Sequence, residues 1–91
     1  MKQPRPPQYV PLRFRLVRLA DAYAAAKGIS RATVSTLVFN GGHVLERLAC
    51  GKGDCSTGNF ERALVWFSAN WPRGTKWPAE IIARPDDRRA A

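Results

Sequence analysis

His43, Cys50 and Cys55 are the His and Cys side chains of this 91-residue sequence, the types that build structural zinc sites and Cys–His nucleophile pairs. Structural zinc takes four Cys or His ligands in paired short spacings, and these are only three, the cysteines being separated by Gly51, Lys52, Gly53 and Asp54. No metal and no cofactor are expected. A Cys and His pair needs a third group to orient it and a pocket for its substrate, and a chain this short offers little room for either. The expectation is therefore a protein with no catalytic residues and no small-molecule substrate. Both thiols are expected to be inert in a reducing cytosol, with Cys50 partly buried on a helix, a redox disulfide across the short loop being the alternative.

The other chemistry available is that of charge. Lys and Arg number 15 against 7 Asp and Glu, a net charge of +8, which favours a polyanionic partner, nucleic acid first and an anionic membrane surface second. Lys2, Arg5, Arg13, Arg15 and Arg18 all precede the first acid, Asp21, so the N-terminal part of the chain is uniformly positive. No apolar run reaches the ~20 residues that span a bilayer. Met1-Lys2 leads into Pro4, Pro6, Pro7 and Pro11 rather than a signal-peptide apolar region, so a soluble cytoplasmic protein is expected.

The elements that must position these groups read as all-α. Residues 1–10 form a proline-rich basic arm, residues 11–78 a domain, and residues 79–91 a frayed C-terminal tail with at most one helical turn near its start. Pro11 suits the first turn of a helix. From there Leu12, Leu16, Leu19, Ala20, Tyr23 and Ala24 make one buried stripe, and Gly28 stops the helix. Ser30 caps a second helix over about 31–39, ended by Asn40-Gly41-Gly42. A third covers Val44 to about Cys50. A fourth, capped by Ser56 or Thr57, covers about 59–70 with Phe60, Leu64 and Phe67 on one face, and ends at Trp71-Pro72. The result is a four- to five-helix domain.

Two helices joined by a short turn containing glycine have the shape of a helix-turn-helix. That crossing asks for a small residue on the first helix, a residue free to take positive φ in the turn, and branched apolar side chains on the second. The sequence offers Ala24, Gly28, Ile29, Val34 and Leu37 at compatible spacing.

Ala24 followed by Gly28-Ile29-Ser30-Arg31-Ala32-Thr33-Val34-Ser35 resembles the helix-turn-helix of lactose-repressor-type bacterial regulators, over about residues 20–40. The flanking helices are similar to those of small phage-repressor-like regulators. No sugar-binding domain or hinge helix follows, so effector control by a sugar is not implied. The resemblance implies a second helix that lies in the major groove of double-stranded DNA. Arg31 would then pair with guanine, Ala32 and Thr33 would offer a methyl to thymine, and Ser35 and Thr36 would bond to bases or phosphate. Ser30 at the helix N-terminus would meet a phosphate, and Asn40 would reach backbone or base from the far end. Arg13, Arg15 and Arg18 on the first helix, with Lys27 at its end, complete the expected DNA contacts.

The apolar fourth helix and its tryptophans add a homodimer through residues 59–77, which would place two motifs on two half-sites. The function expected is a DNA-binding transcriptional regulator, a repressor of phage or mobile-element type, acting at the bacterial nucleoid. An excisionase-like DNA-bending factor is the alternative of the same class. An interaction module such as an antitoxin or adaptor, using Trp66, Trp71 and Trp77, is the alternative of another class.

Overall fold

The structure, a computed structural model, describes residues 10–85, and the expected arm over 1–9 and the last residues of the tail, 86–91, lie outside them. Within it the chain is all-helical: α1 is Leu12–Lys27, α2 Arg31–Phe39, α3 Val44–Ala49 and α4 Thr57–Asn70. Among the described residues no helix is long and apolar enough to cross a membrane.

Each boundary has a local cause. Pro11 precedes α1 with φ −54° and ψ 148°, and its carbonyl accepts from Phe14 and Arg15 N–H, opening the helix. At the other end Gly28 takes φ 69°, and the N–H groups of Gly28 and Ile29 donate back to Ala25 and Ala24. That pattern satisfies carbonyls the helix would otherwise leave bare, and it needs a residue without a Cβ penalty in the left-handed region. Ser30 Oγ accepts from Thr33 N–H at 3.1 Å and starts α2. Asn40, left-handed at φ 58°, ends it. Ser56 Oγ accepts from Asn59 N–H at 3.2 Å, so Ser56 is the cap of α4 and the helix begins two residues before the expected 59.

The core lies between all four helices. Leu16, Leu19, Ala20, Tyr23 and Ala24 of α1, Val34 of α2, Leu45 and Leu48 of α3, and Ala63 and Phe67 of α4 are buried. Tyr23 stands edge-on to Trp66 and Phe67 at 5.4 and 5.6 Å between ring centroids, a favourable arrangement for aromatic quadrupoles. Trp71 and Trp77 pack against one another at 4.9 Å.

The packed domain continues past residue 78, the boundary read from sequence. Ile82 is buried, Trp77 Nε1 donates to its carbonyl at 2.8 Å, and Arg84 reaches back to Ser68 while covering the Trp77 ring. Three apolarity-based expectations are corrected. Leu12 is 47% exposed and Leu37 51%, so neither belongs to the core, and Cys50 is exposed rather than partly buried. Leu12 opens α1 a full turn before the first buried residue, Leu16, while Leu37 points away from α1 because Val34 and Ser35 occupy the inward arc of α2.

Candidate nucleic-acid interface

The nine residues of α2 divide into two faces at helical spacing. Arg31, Val34, Ser35 and Val38, at i, i+3, i+4 and i+7, turn toward the rest of the molecule. Ala32, Thr33, Thr36 and Leu37, followed by Asn40, are exposed. The outward face carries no formal charge.

Two expected contacts with DNA belong to the inward face. Ser35 is fully buried: its hydroxyl donates to the Gly41 carbonyl and accepts from Leu45 N–H at 3.2 Å. It ties the middle of α2 to the loop that follows and to the start of α3, and this corrects its expected role at bases or phosphate. Arg31 is engaged on both sides. Its Nε and Nη2 donate to Asp21 Oδ1 and Oδ2 at 2.9 and 2.7 Å, and its Nη1 donates to Glu46 Oε1 at 3.0 Å. The guanidinium is thereby held between α1 and α3, and the hydrogen bonds to Asp21 raise its pKa further above the arginine range, against a smaller opposing effect of burial. Three of the five N–H donors of Arg31 are taken by carboxylates of α1 and α3 in this structure, an engagement the expected guanine contact did not include.

Asp21 and Glu46 are the partners of Arg31 that sequence reasoning missed. They lie ten and fifteen positions from Arg31, on other helices, and no local spacing links them to it.

The remaining expected positions are brought to one end of the molecule or kept apart as follows. Ser30 is exposed at the α2 N-terminus and shares a hydrogen bond with the Thr33 hydroxyl at 2.9 Å. Thr36 Oγ1 donates to the Ala32 carbonyl at 3.1 Å, leaving its methyl and its oxygen lone pairs outward. Lys27 and Arg18 are exposed. Arg15 Nε donates to the Val10 carbonyl at 2.8 Å, and Arg13 lies over the Phe14 ring with Nη1 3.9 Å from Asp54 of the α3–α4 loop, so both arginines are engaged around the start of α1.

Cys50 and Cys55 are both free thiols. Burial pushes the Cys55 thiol up from its ordinary pKa, with Arg62 acting in the opposite direction. The tryptophans meet one another and Tyr23 rather than standing out as a patch, which leaves Val65, 50% exposed, as the large apolar side chain that α4 offers to its surroundings.

In comparisons with family models, curated proteins and solved structures, no match to this chain is found.

Proposed function

We propose that the protein binds double-stranded DNA by laying α2 in the major groove, as a transcriptional regulator. The observation that carries this reading is the outward face of α2. Ala32, Thr33, Thr36, Leu37 and Asn40 form an uncharged strip, short-chained but for Leu37, on a helix that is fixed to α1 by the Gly28 turn and to α3 by Ser35. The major groove is about 12 Å wide, room for a helix with short side chains on the side that meets the base edges. A chain of net charge +8 supplies the attraction to phosphate.

The division of labour differs from the one the sequence suggests. Arg31 orients α2 through Asp21 and Glu46, and reading passes to its neighbours. Thr33, Ala32 and Leu37 suit thymine methyl groups, and Asn40 suits the donor and acceptor pair of adenine. At the helix N-terminus the N–H groups of Arg31 and Ala32 have no partner within the helix, and with the dipole they favour a phosphate.

Selection from a pool of randomised duplexes tests the reading. The wild type should enrich a defined sequence, and Thr36→Glu, which places a carboxylate on the exposed strip, should abolish enrichment without unfolding the domain. No enrichment by the wild type, or unchanged binding by Thr36→Glu, would overturn it.

A further inference from the structure

The turn after α4 carries two exposed cations, Arg73 and Lys76, on a backbone fixed at several points. Thr75 N–H donates to the Pro72 carbonyl at 3.3 Å, Trp71 Nε1 donates to the Thr75 carbonyl at 2.8 Å, and Gly74 takes φ 81° to close the turn. The rings of Trp71 and Trp77, tilted against one another with centroids 4.9 Å apart, pin its two ends together. No acid occurs from Trp71 to Ala79, and among the described residues neither Arg73 nor Lys76 forms an ion pair. Two unneutralised cations thus sit on a turn whose rigidity the two tryptophans supply.

Tyr23 fixes where this turn lies. Its ring centroid is 6.0 Å from that of Trp71, and it is one helical turn before Lys27 on α1. Through Trp71 the base of the basic turn thus packs against the second half of α1, the half that leads to Gly28. Lys27 is exposed at the same end.

We propose that Arg73 and Lys76 form a preordered phosphate clamp, gripping the DNA backbone beside the groove that α2 enters. The proposal rests on DNA binding by α2 and adds a contact that carries no sequence information, because phosphates position a protein whereas base edges specify the site. Cations on a fixed turn lose less freedom on binding than cations on a mobile tail, so the tryptophan staple serves affinity as well as folding.

Fluorescence anisotropy of a labelled duplex over a series of salt concentrations tests it. Each phosphate contact adds about 0.9 to the slope of log K against log salt, so Arg73→Gln/Lys76→Gln should lower the slope by nearly 2 and the affinity at 0.1 M salt by roughly tenfold per cation. Base preference and the thermal melt should stay as in the wild type. Lys52→Gln is the control for net charge: Lys52 is exposed and follows Gly51, which lies against Phe14 near the opposite end of α1. Its slope should match that of the wild type. A double variant with unchanged slope, or a Lys52→Gln variant that loses as much slope per charge, overturns the clamp while leaving the α2 reading intact. A wild type that binds no duplex overturns both.

Discussion

Arg31 and Asp21 meet fork to fork across the α1–α2 turn, Nε to Oδ1 at 2.9 Å and Nη2 to Oδ2 at 2.7 Å, which makes the first residue of α2 an anchor to the middle of α1. Bidentate arginine–carboxylate pairs set orientation as well as energy. Solvent reaches both partners, so the energetic share is small. Asp21→Asn should cost about 0.5–1 kcal/mol, read as a fall of a few degrees in the melting temperature. Under the proposed function its DNA affinity should drop while the preferred sequence is kept. A change of preference at one base pair on replacing Arg31 with alanine, with Asp21→Asn neutral, would return Arg31 to the reading face.

Ser35 holds more of the fold than its size suggests. Replacing it with alanine leaves the buried Leu45 N–H and the Gly41 carbonyl without their partner. The expected cost is about 2 kcal/mol, or roughly 10 °C in a domain of this length. Thermal denaturation by circular dichroism measures it directly. A loss under about 0.5 kcal/mol would mean that the hydroxyl is dispensable.

Leu37 and Val34 should behave oppositely although both are apolar and three residues apart. Val34 is fully buried, and Val34→Ala should cost about 2 kcal/mol. Leu37→Ala should stay within about 0.5 kcal/mol of the wild type, because its side chain is already half in water. Chemical denaturation of the two variants separates them, and the Leu37 variant should then show weakened DNA binding at wild-type stability.

The two thiols should react in sequence. Iodoacetamide at mildly alkaline pH should modify exposed Cys50 first and Cys55 later, visible as two steps by mass spectrometry. Because burial raises the Cys55 pKa, the folded state favours the neutral thiol. Its contribution to stability is complete below the ordinary thiol range and is lost as pH rises through the raised value. Melting temperatures of wild type and Cys55→Ser should converge over that alkaline interval.

For a homodimer through residues 59–77, Val65 is the large apolar side chain of α4 that stands exposed, while Trp71 and Trp77 pack on one another and Trp66 on Tyr23. Sedimentation should then show a concentration-dependent species that Val65→Glu removes without changing the melt. A wild type that sediments as a monomer at all concentrations removes the dimer.

The helices and their ends were largely legible in the sequence because their causes are local. Gly28 needs only its own φ, Ser30 and Ser56 need only an N–H three residues on, and the stripe from Leu16 to Ala24 repeats every turn. The two faces of α2 were not. Leu37 reads as inward and Ser35 as outward when polarity decides, but the angular series Arg31, Val34, Ser35, Val38 is the inward one. Its two polar members are tolerated because partners elsewhere in the chain satisfy them: Gly41 and Leu45 for Ser35, Asp21 and Glu46 for Arg31. Partners set by tertiary packing leave no mark at short spacing. The two most polar members of the expected site, Arg31 and Ser35, thus lie on the side of α2 that faces the rest of the molecule.

The separation of the two faces of α2 has a consequence for how such a chain could change its target. Residues 31, 34, 35 and 38 answer to the fold, whereas 32, 33, 36 and 37 touch little besides their own helix. Under the proposed function, substitutions in the second set would leave the architecture alone, so the preferred sequence could be rewritten there without first rebuilding the protein.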